Sequence, residues 1–187
     1  MKNFKQVWME ALALNAVNKD PGKYGVSVFM GRLQPPTAAH IKIIDDAVKK
    51  YKQPVVVAVV TSDNTNSPFS FGLVKNILQA SCKQKPKVLE IRSGFIGDFL
   101  SPLRDDGFEP YVLLAGSDRA KGYKAQIKRY NDMFTLQLSV KEIKRTDADI
   151  SGTKVRQALV DEDESTFKSM TAKGTHKFYK KLQKAMK

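Results

Sequence analysis

The sequence predicts an α/β protein, an open parallel sheet of about five strands with helices on both faces, a helical extension before it and further helices after it. Three observations predict this. Short β-rich apolar runs alternate with segments of helical periodicity from Tyr24 to Val140. The run Pro54-Val-Val-Val-Ala-Val-Val-Thr61 lacks polar alternation, as a parallel strand covered on both faces should. After Val140 only helical patterns remain.

In chain order, Phe4, Val7, Trp8, Ala11 and Leu12 recur at helical spacing, so a helix is expected from about Asn3 to Asn18, closed by the turn Asp20-Pro21-Gly22. Its apolar side is expected to pack on its own domain; the alternative is packing on a second chain in a homo-oligomer. Tyr24 to Met30 is the first strand, followed by a turn containing Pro35-Pro36 and a helix with Ile41, Ile44 and Val48 on its apolar side. Pro54 to Thr61 is the second strand. Helical patterns around Leu73 to Ser81 and Phe95 to Leu103 bracket a third, Lys87 to Ile91. A fourth strand, Tyr111 to Ala115, precedes a basic helix through Lys121 to Tyr130 and a fifth strand at Phe134 to Val140. Helices follow from Thr153 to Leu159 and from about Asp163 to the C-terminus. Parallel neighbours need crossovers, which the intervening helices supply, and ligands bind such sheets beyond the carboxyl ends of the strands.

A chain of 187 residues supports one domain with a real core, here a helical extension at 1–22, a core at 23–160 and C-terminal helices at 161–187. Cys82 is the single cysteine, and no N-terminal segment reads as a secretory signal, so a cytoplasmic setting is expected. The longest strongly apolar run, Val55 to Val60, is far shorter than the ~20 residues a membrane-spanning helix needs. Lys and Arg outnumber Asp and Glu by 32 to 19, a formal charge of +13, which attracts polyanions. A solvated surface, a nucleic-acid contact and a basic cleft for nucleotide phosphates all fit that charge.

Two segments carry chemistry. In Gly31-Arg32-Leu33-Gln34-Pro35-Pro36-Thr37-Ala38-Ala39-His40, Gly31 ends a strand with bare backbone that a ligand can approach, and Thr37 can cap the next helix. That helix start favours an anion through its free N–H groups and its dipole. Thr37 and His40, three residues apart, project from one side of its first turn. In Ile150-Ser151-Gly152-Thr153-Lys154-Val155-Arg156, Ser151 and Thr153 are natural N-caps, Gly152 leaves the N–H groups open, and Arg156 lies one turn beyond Thr153. A second phosphate cradle results.

These segments, about 110 residues apart and separated by alternating strands and helices, resemble the two signatures of the nucleotidyltransferase superfamily. The first is a Gly-containing strand end and a Pro-containing loop leading to His or Thr, any residue, Gly, His. The second is Ile-Ser-Ser/Gly-Thr-x-x-Arg, matched here without departure. The resemblance covers roughly Tyr24 to Leu159. The one departure in the first signature is Ala39, which sets a methyl where the family's Gly lies close to the nucleotide base. Leu114-Ala115-Gly116-Ser117-Asp118 looks like the family's Gly-Ser-Asp loop, which contacts the nucleotide. Thr61-Ser62-Asp63 and Asn66-Ser67-Pro68-Phe69-Ser70 resemble the acceptor-side loop of archaeal-type nicotinamide-nucleotide adenylyltransferases, which implies acceptor contacts from Thr61, Ser62 and Phe69. That group also pairs a Gly-Arg-Phe-Gln-Pro start with Ile-Ser-Gly-Thr near the end; here Leu33 replaces the Phe, and Gly72-Leu73-Val74-Lys75 stands where a Glu-Arg usually follows the Pro-Phe segment, so the acceptor stays open. Small bacteriophage-encoded members look similar around Gly116-Ser117-Asp118-Arg119 and Thr146-Asp147-Ala148-Asp149, and for a phage-encoded chain the expected cytoplasm is the host's.

The resemblance implies a Rossmann-like fold and transfer of a nucleotidyl, most simply adenylyl, group from ATP or another nucleoside triphosphate. The acceptor would be a small phosphorylated molecule such as nicotinamide mononucleotide, with release of pyrophosphate. His40 would then donate to the α-phosphate with Thr37 beside it, Ser151, Gly152, Thr153 and Arg156 would hold the β- and γ-phosphates, and Arg32 would clamp a phosphate. Gly31, Gly116, Ser117 and Asp118 complete the nucleotide side. Mg²⁺ would arrive on the phosphates, and no protein metal site is expected. Pantetheine-phosphate adenylyltransferases show Thr-Phe-Asp-Pro where this chain has Arg32-Leu33-Gln34-Pro35, and cytidylyltransferases favour two His, so both are ranked lower. Two other classes stay open: a nucleic-acid-binding module, suggested by the bases interleaved with Tyr123 and Tyr130, and a non-catalytic structural or virion protein on the same fold.

Overall fold

A computed structural model describes residues 24–61, 67–134, 136–143 and 150–186. The N-terminal helix, Ser62, Asp63, Asn66 and Thr146 to Asp149 lie outside them.

Five parallel strands form one sheet in the order β3-β2-β1-β4-β5. They are β1 (Tyr24–Gly31), β2 (Val55–Val60), β3 (Lys87–Ile91), β4 (Phe108–Gly116) and β5 (Ser139–Ile143). The crossovers are α1 (Ala38–Tyr51), α2 (Phe71–Ser81), α3 (Gly97–Asp105) and α4 (Ser117–Phe134). α5 (Gly152–Val160), α6 (Glu164–Met170), α7 (Lys173–His176) and α8 (Tyr179–Met186) follow β5.

Burial explains the uninterrupted apolar strands. Val55, Val57 and Val59 of β2 enter one core with Ile41 and Ile44 of α1, Val74 and Ile77 of α2 and Val155 and Leu159 of α5. Val56 and Ala58 enter the other, with Phe99 and Leu103 of α3 and Tyr123 and Ile127 of α4. Successive residues of a strand point to opposite faces, so both must be apolar when helices cover both sides. α1, α2 and α5 thus lie on one face, α3 and α4 on the other.

The chain runs outward from β1 through β2 to β3, then returns to place β4 on the other side of β1. β1 and β4 therefore flank the point where the strand order reverses, and the helices that leave them, α1 and α4, depart on opposite faces. This opens a crevice at their carboxyl ends. In register, Phe29 pairs with Leu114, so Gly31 and Gly116, each two residues on, end the two strands side by side. Pro110, which has no N–H to donate, falls where the β1–β4 register shifts and before the β5 pairing begins at Val112.

Three expected elements differ. The fifth strand is Ser139–Ile143 rather than Phe134 to Val140: α4 runs on to Phe134, and Leu136 and Leu138, buried in the α3–α4 core, belong to the connection. α4 itself starts at Ser117, directly on β4. The C-terminal helix is three pieces, because α7 must dock flat on the end of α2. A Cβ on Gly174 would lie 2.2 Å from the Ala80 carbonyl oxygen, and Thr175 Oγ1 meets Ser81 Oγ at 3.0 Å. His176, half-buried, faces the carbonyls of Lys168 and Thr171 with Nε2 at 3.2 and 3.3 Å.

Candidate active site

The first turn after β1 is built tightly. Leu33 is held at φ 53°, in the left-handed region, with its side chain 3% exposed. That conformation costs a branched residue on the order of 1 kcal/mol, and burial of the side chain offsets it. The next residue, Gln34, is also buried. Its amide grips the backbone of Phe69 in both directions, Nε2 donating to the Phe69 carbonyl and Oε1 accepting from the Phe69 N–H, each at 2.9 Å. The Gln34–Pro35 peptide bond is cis.

Thr37 caps α1, its side chain accepting from the His40 N–H, and the His40 ring reciprocates by accepting from the Thr37 N–H through Nδ1 at 3.1 Å. Thr37 Oγ1 also lies 3.0 Å from Nδ1. A backbone N–H only donates, so Nδ1 is the acceptor and the neutral ring carries its proton on Nε2. Thr37 is 1% exposed. The hydroxyl expected to face a phosphate beside His40 is thus engaged in the capping box and lies against the imidazole.

Ser151 caps α5, accepting from the Lys154 N–H at 3.2 Å. One turn on, Arg156 Nη1 donates to the Gln34 carbonyl at 2.6 Å and Nη2 to Thr153 Oγ1 at 3.2 Å. Thr153 is therefore a support for the guanidinium rather than a cap. A Cβ on Gly152 would stand 2.9 Å from the Gln34 carbonyl oxygen, which is why this helix start needs glycine. At Gly31 a Cβ would make only ordinary contact with Leu33, at 3.7 Å, so the fold's own packing does not demand glycine there; it leaves bare backbone at the strand end. The Arg156 guanidinium is held below its ordinary pKa first by burial and then by Arg32 nearby, an arrangement of two like charges that an anion between them relieves.

Across the crevice, Ser117 and Asp118 are exposed in the first turn of α4, with Asp118 Oδ1 folded back to 2.7 Å from where a Gly116 Cβ would be. Thr61 closes β2, its Oγ1 donating to Glu90 Oε1 at 3.1 Å. Phe69 departs from expectation. Its ring is 2% exposed and packed in the α1–α2 core, so it offers no face to an acceptor, and only its backbone serves the site, through Gln34. Ser62 lies outside the described residues. Tyr123 is buried and Tyr130 half-buried, so these rings do not form the exposed ladder that a nucleic-acid reader would interleave with bases. Gln34, the hub joining both motifs to the Phe69 segment, lies inside the first motif, but its partner is 35 positions along the chain, so no neighbouring residue announces that role.

Two helix starts with a guanidinium near both lie at the reversal point of a doubly wound parallel sheet, the place where such sheets bind ligands. Residues 28–158, more than half of the chain, match the family described as cytidylyltransferase-like, and the protein belongs to that family. No curated protein matches the sequence. Among solved structures, the Plasmodium falciparum nicotinic acid mononucleotide adenylyltransferase complexed with NaAD has a TM-score of 0.61 at 15% identity, over 87% of this chain and 97% of that one. Thermotoga maritima TmcAL bound with alpha-thio ATP has a TM-score of 0.58 at 11% identity, over 84% and 55%. NadR in complex with NAD and AMP-PNP has 0.58 at 13%, over 81% and 46%. At these identities the likeness establishes the fold. Among the described residues no helix is long and apolar enough to cross a membrane.

Proposed function

We propose that this protein transfers an adenylyl group from ATP to the phosphate of a mononucleotide-type acceptor and releases pyrophosphate. The observation that carries the reading is Arg156 of the α5 start bonded to the Gln34 carbonyl of the α1 loop, which brings two anion-favouring helix starts and His40 to one carboxyl edge. An acceptor phosphate oxygen forms a bond to the α-phosphorus as the bond to the bridging oxygen breaks, and the electron pair leaves with pyrophosphate. No side chain need become covalently attached; positioning and charge stabilisation supply the rate.

In this mechanism His40 donates from Nε2 to an α-phosphate oxygen, with Thr37 fixing the tautomer. Arg156, Arg32 and the N–H groups around Ser151 and Gly152 hold the β- and γ-phosphates through the transfer. Gly116, Ser117 and Asp118 border the nucleoside, and Thr61 the acceptor side. These donors address phosphate oxygens and leave a hard cation to coordinate phosphate and water. Mg²⁺ carried by the triphosphate would neutralise charge on the departing pyrophosphate. The test is pyrophosphate release with Mg²⁺ and either ATP or CTP, each with nicotinamide mononucleotide, nicotinate mononucleotide or phosphopantetheine. Release with ATP and a pyridine mononucleotide, lost in His40→Ala while nucleotide binding persists, is the expected result; absence of nucleotide binding by calorimetry would refute the reading.

A further inference from the structure

The cations of α4 are arranged unlike those of its neighbours. Between Asp118 and Asp132 this helix carries Arg119, Lys121, Lys124, Lys128 and Arg129 and no carboxylate, and all five cations are exposed. On other helices bases have partners: Lys42 pairs with Asp46 on α1, Lys168 pairs with Glu164 on α6, and Lys180 of α8 lies over the Tyr179 ring. Among the described residues, none of the five on α4 forms an ion pair. Acids four residues away stabilise a solvated basic helix, yet Lys124 and Lys128 take that spacing themselves, where like charges repel. An extended anion lying over both relieves the repulsion.

The helix sorts these groups by side. At 100° per residue, Lys121, Lys124 and Lys128 fall within about 60° of one another, and the rise spaces them about 4.5 and 6 Å apart along the axis. This stripe lies on the flank toward β5, where Lys124 and Lys128 share a groove with Asn131 and Val140. On the opposite flank the ring of Phe95, 62% exposed, shares the surface with Arg119, Gly122 and Gln126. Its loop holds it there: the Phe95 N–H donates to Ser93 Oγ at 3.1 Å, and the next residue, Ile96, is fully buried with its N–H donating to Gln126 Oε1 at 3.4 Å. On the exposed arc between the flanks stand Gly122 and Ala125, and a Cβ at Gly122 would meet nothing within 4 Å. The ridge is therefore low where a chain would cross from the lysines to the ring.

A row of cations beside an aromatic face is the combination that holds unpaired nucleic acid, phosphates on the bases of the protein and a nucleobase stacked on the ring. A duplex would satisfy the lysines but keeps its base faces stacked inside, out of reach of Phe95. We propose that the exposed face of α4 binds a single strand of nucleic acid, with phosphates along Lys121, Lys124 and Lys128 and one base on Phe95. The stacking ring comes from the β3–α3 loop, and the buried Tyr123 and half-buried Tyr130 take no part. This surface is separate from the α1 and α5 helix starts, so strand and nucleoside triphosphate bind together, and the inference stands whether or not the protein transfers nucleotidyl groups.

The test is fluorescence anisotropy of a fluorescein-labelled thymidylate strand of about 12 nucleotides, a length within single-strand site sizes, across a salt series and with saturating MgATP present. Its duplex with deoxyadenylate and vesicles containing phosphatidylserine are the comparisons, and melting curves show that each variant is folded. The strand is expected to bind in the presence of MgATP, more tightly than the duplex or the vesicles, and to weaken as salt rises. Replacing Lys121→Gln, Lys124→Gln and Lys128→Gln together should weaken binding and flatten the logarithmic salt slope by roughly two units, since each phosphate contact on a single strand contributes about 0.7. Phe95→Ala should weaken binding roughly five- to a hundredfold, the scale of one lost stack, with the slope unchanged. An equal loss of charge on α8, through Lys180→Gln, Lys181→Gln and Lys184→Gln, should leave binding as it was. Absence of strand binding at low salt, displacement of the strand by MgATP, tighter binding to the duplex or the vesicles, or an equal effect of the α8 variant would each overturn the inference.

Discussion

Gly152→Ala tests whether the two motifs are locked together as described. The added methyl would sit 2.9 Å from the Gln34 carbonyl oxygen and 3.5 Å from Arg156 Nη1. The carbonyl cannot easily yield, because the same residue holds the Phe69 backbone through two 2.9 Å bonds. The α5 start must therefore retreat, and the 2.6 Å bond from Arg156 to Gln34 is the contact it gives up. A hydrogen bond to a charged group is worth about 1.5–3 kcal/mol, and replacing Gly by Ala in a helix returns up to about 1 kcal/mol. The net loss is then about 0.5–2 kcal/mol, which for a chain of this size lowers the melting temperature by about 1–8 °C. Displacement of the guanidinium by a fraction of an ångström should also cost activity, on the order of ten- to a hundredfold. Melting curves and pyrophosphate release measure the two effects, with Gly122→Ala as a control of opposite sign: nothing lies within 4 Å of its Cβ position, so that variant should be more stable than the parent. A Gly152→Ala protein as stable and active as its parent would refute the lock.

Thr37→Val should cost about 1 kcal/mol as a lost cap and lower kcat modestly, because the imidazole loses the Oγ1 contact at Nδ1 and keeps only the Thr37 N–H; Thr37→Ser should restore both, read by melting and steady-state rates. Gly174→Ala drives a methyl against the Ala80 carbonyl oxygen, so α7 must lift from α2, and denaturant titration should show a loss of about 1–3 kcal/mol or more. Burial, with Asp45 adding to it, pushes the Cys82 thiol from 9.0 up to about 12. The native state then keeps its proton where the unfolded chain has lost it, so this thiol's contribution to stability is complete below about pH 9 and declines as pH rises toward about 12. At pH 8 a thiol reagent should label Cys82 only after unfolding; prompt labelling of the native protein would contradict its placement.

The strands that face two cores were readable because parallel burial leaves an unbroken apolar signature, as in Val55 to Val60. The edge strand β5 was displaced for the converse reason. Its residues are largely exposed, while the adjacent Leu136 and Leu138 are buried outside the sheet, so hydrophobicity pointed to the wrong stretch. The two helix starts were legible since such features are local: caps, Gly152 and the spacing of Thr37 to His40 are all written within a few residues. The left-handed Leu33, the Gln34 hub and the core position of the Phe69 ring depend on partners far along the chain, and no local pattern encodes them.

The bond between Arg156 and Gln34 joins residues 122 positions apart. During synthesis, a nascent chain that has emerged through α4 already has β1, α1 and the capped imidazole, yet it lacks the guanidinium and the second helix start. Affinity for the triphosphate should therefore switch on late, when α5 docks, and an N-terminal fragment ending before Ser151 should bind nucleotide poorly even where its strands have assembled. Once formed, the same arrangement lets a bound nucleotide act as a clasp between the earliest and the latest parts of the core, so that ligand protects β1 and α5 against hydrogen exchange together rather than each alone.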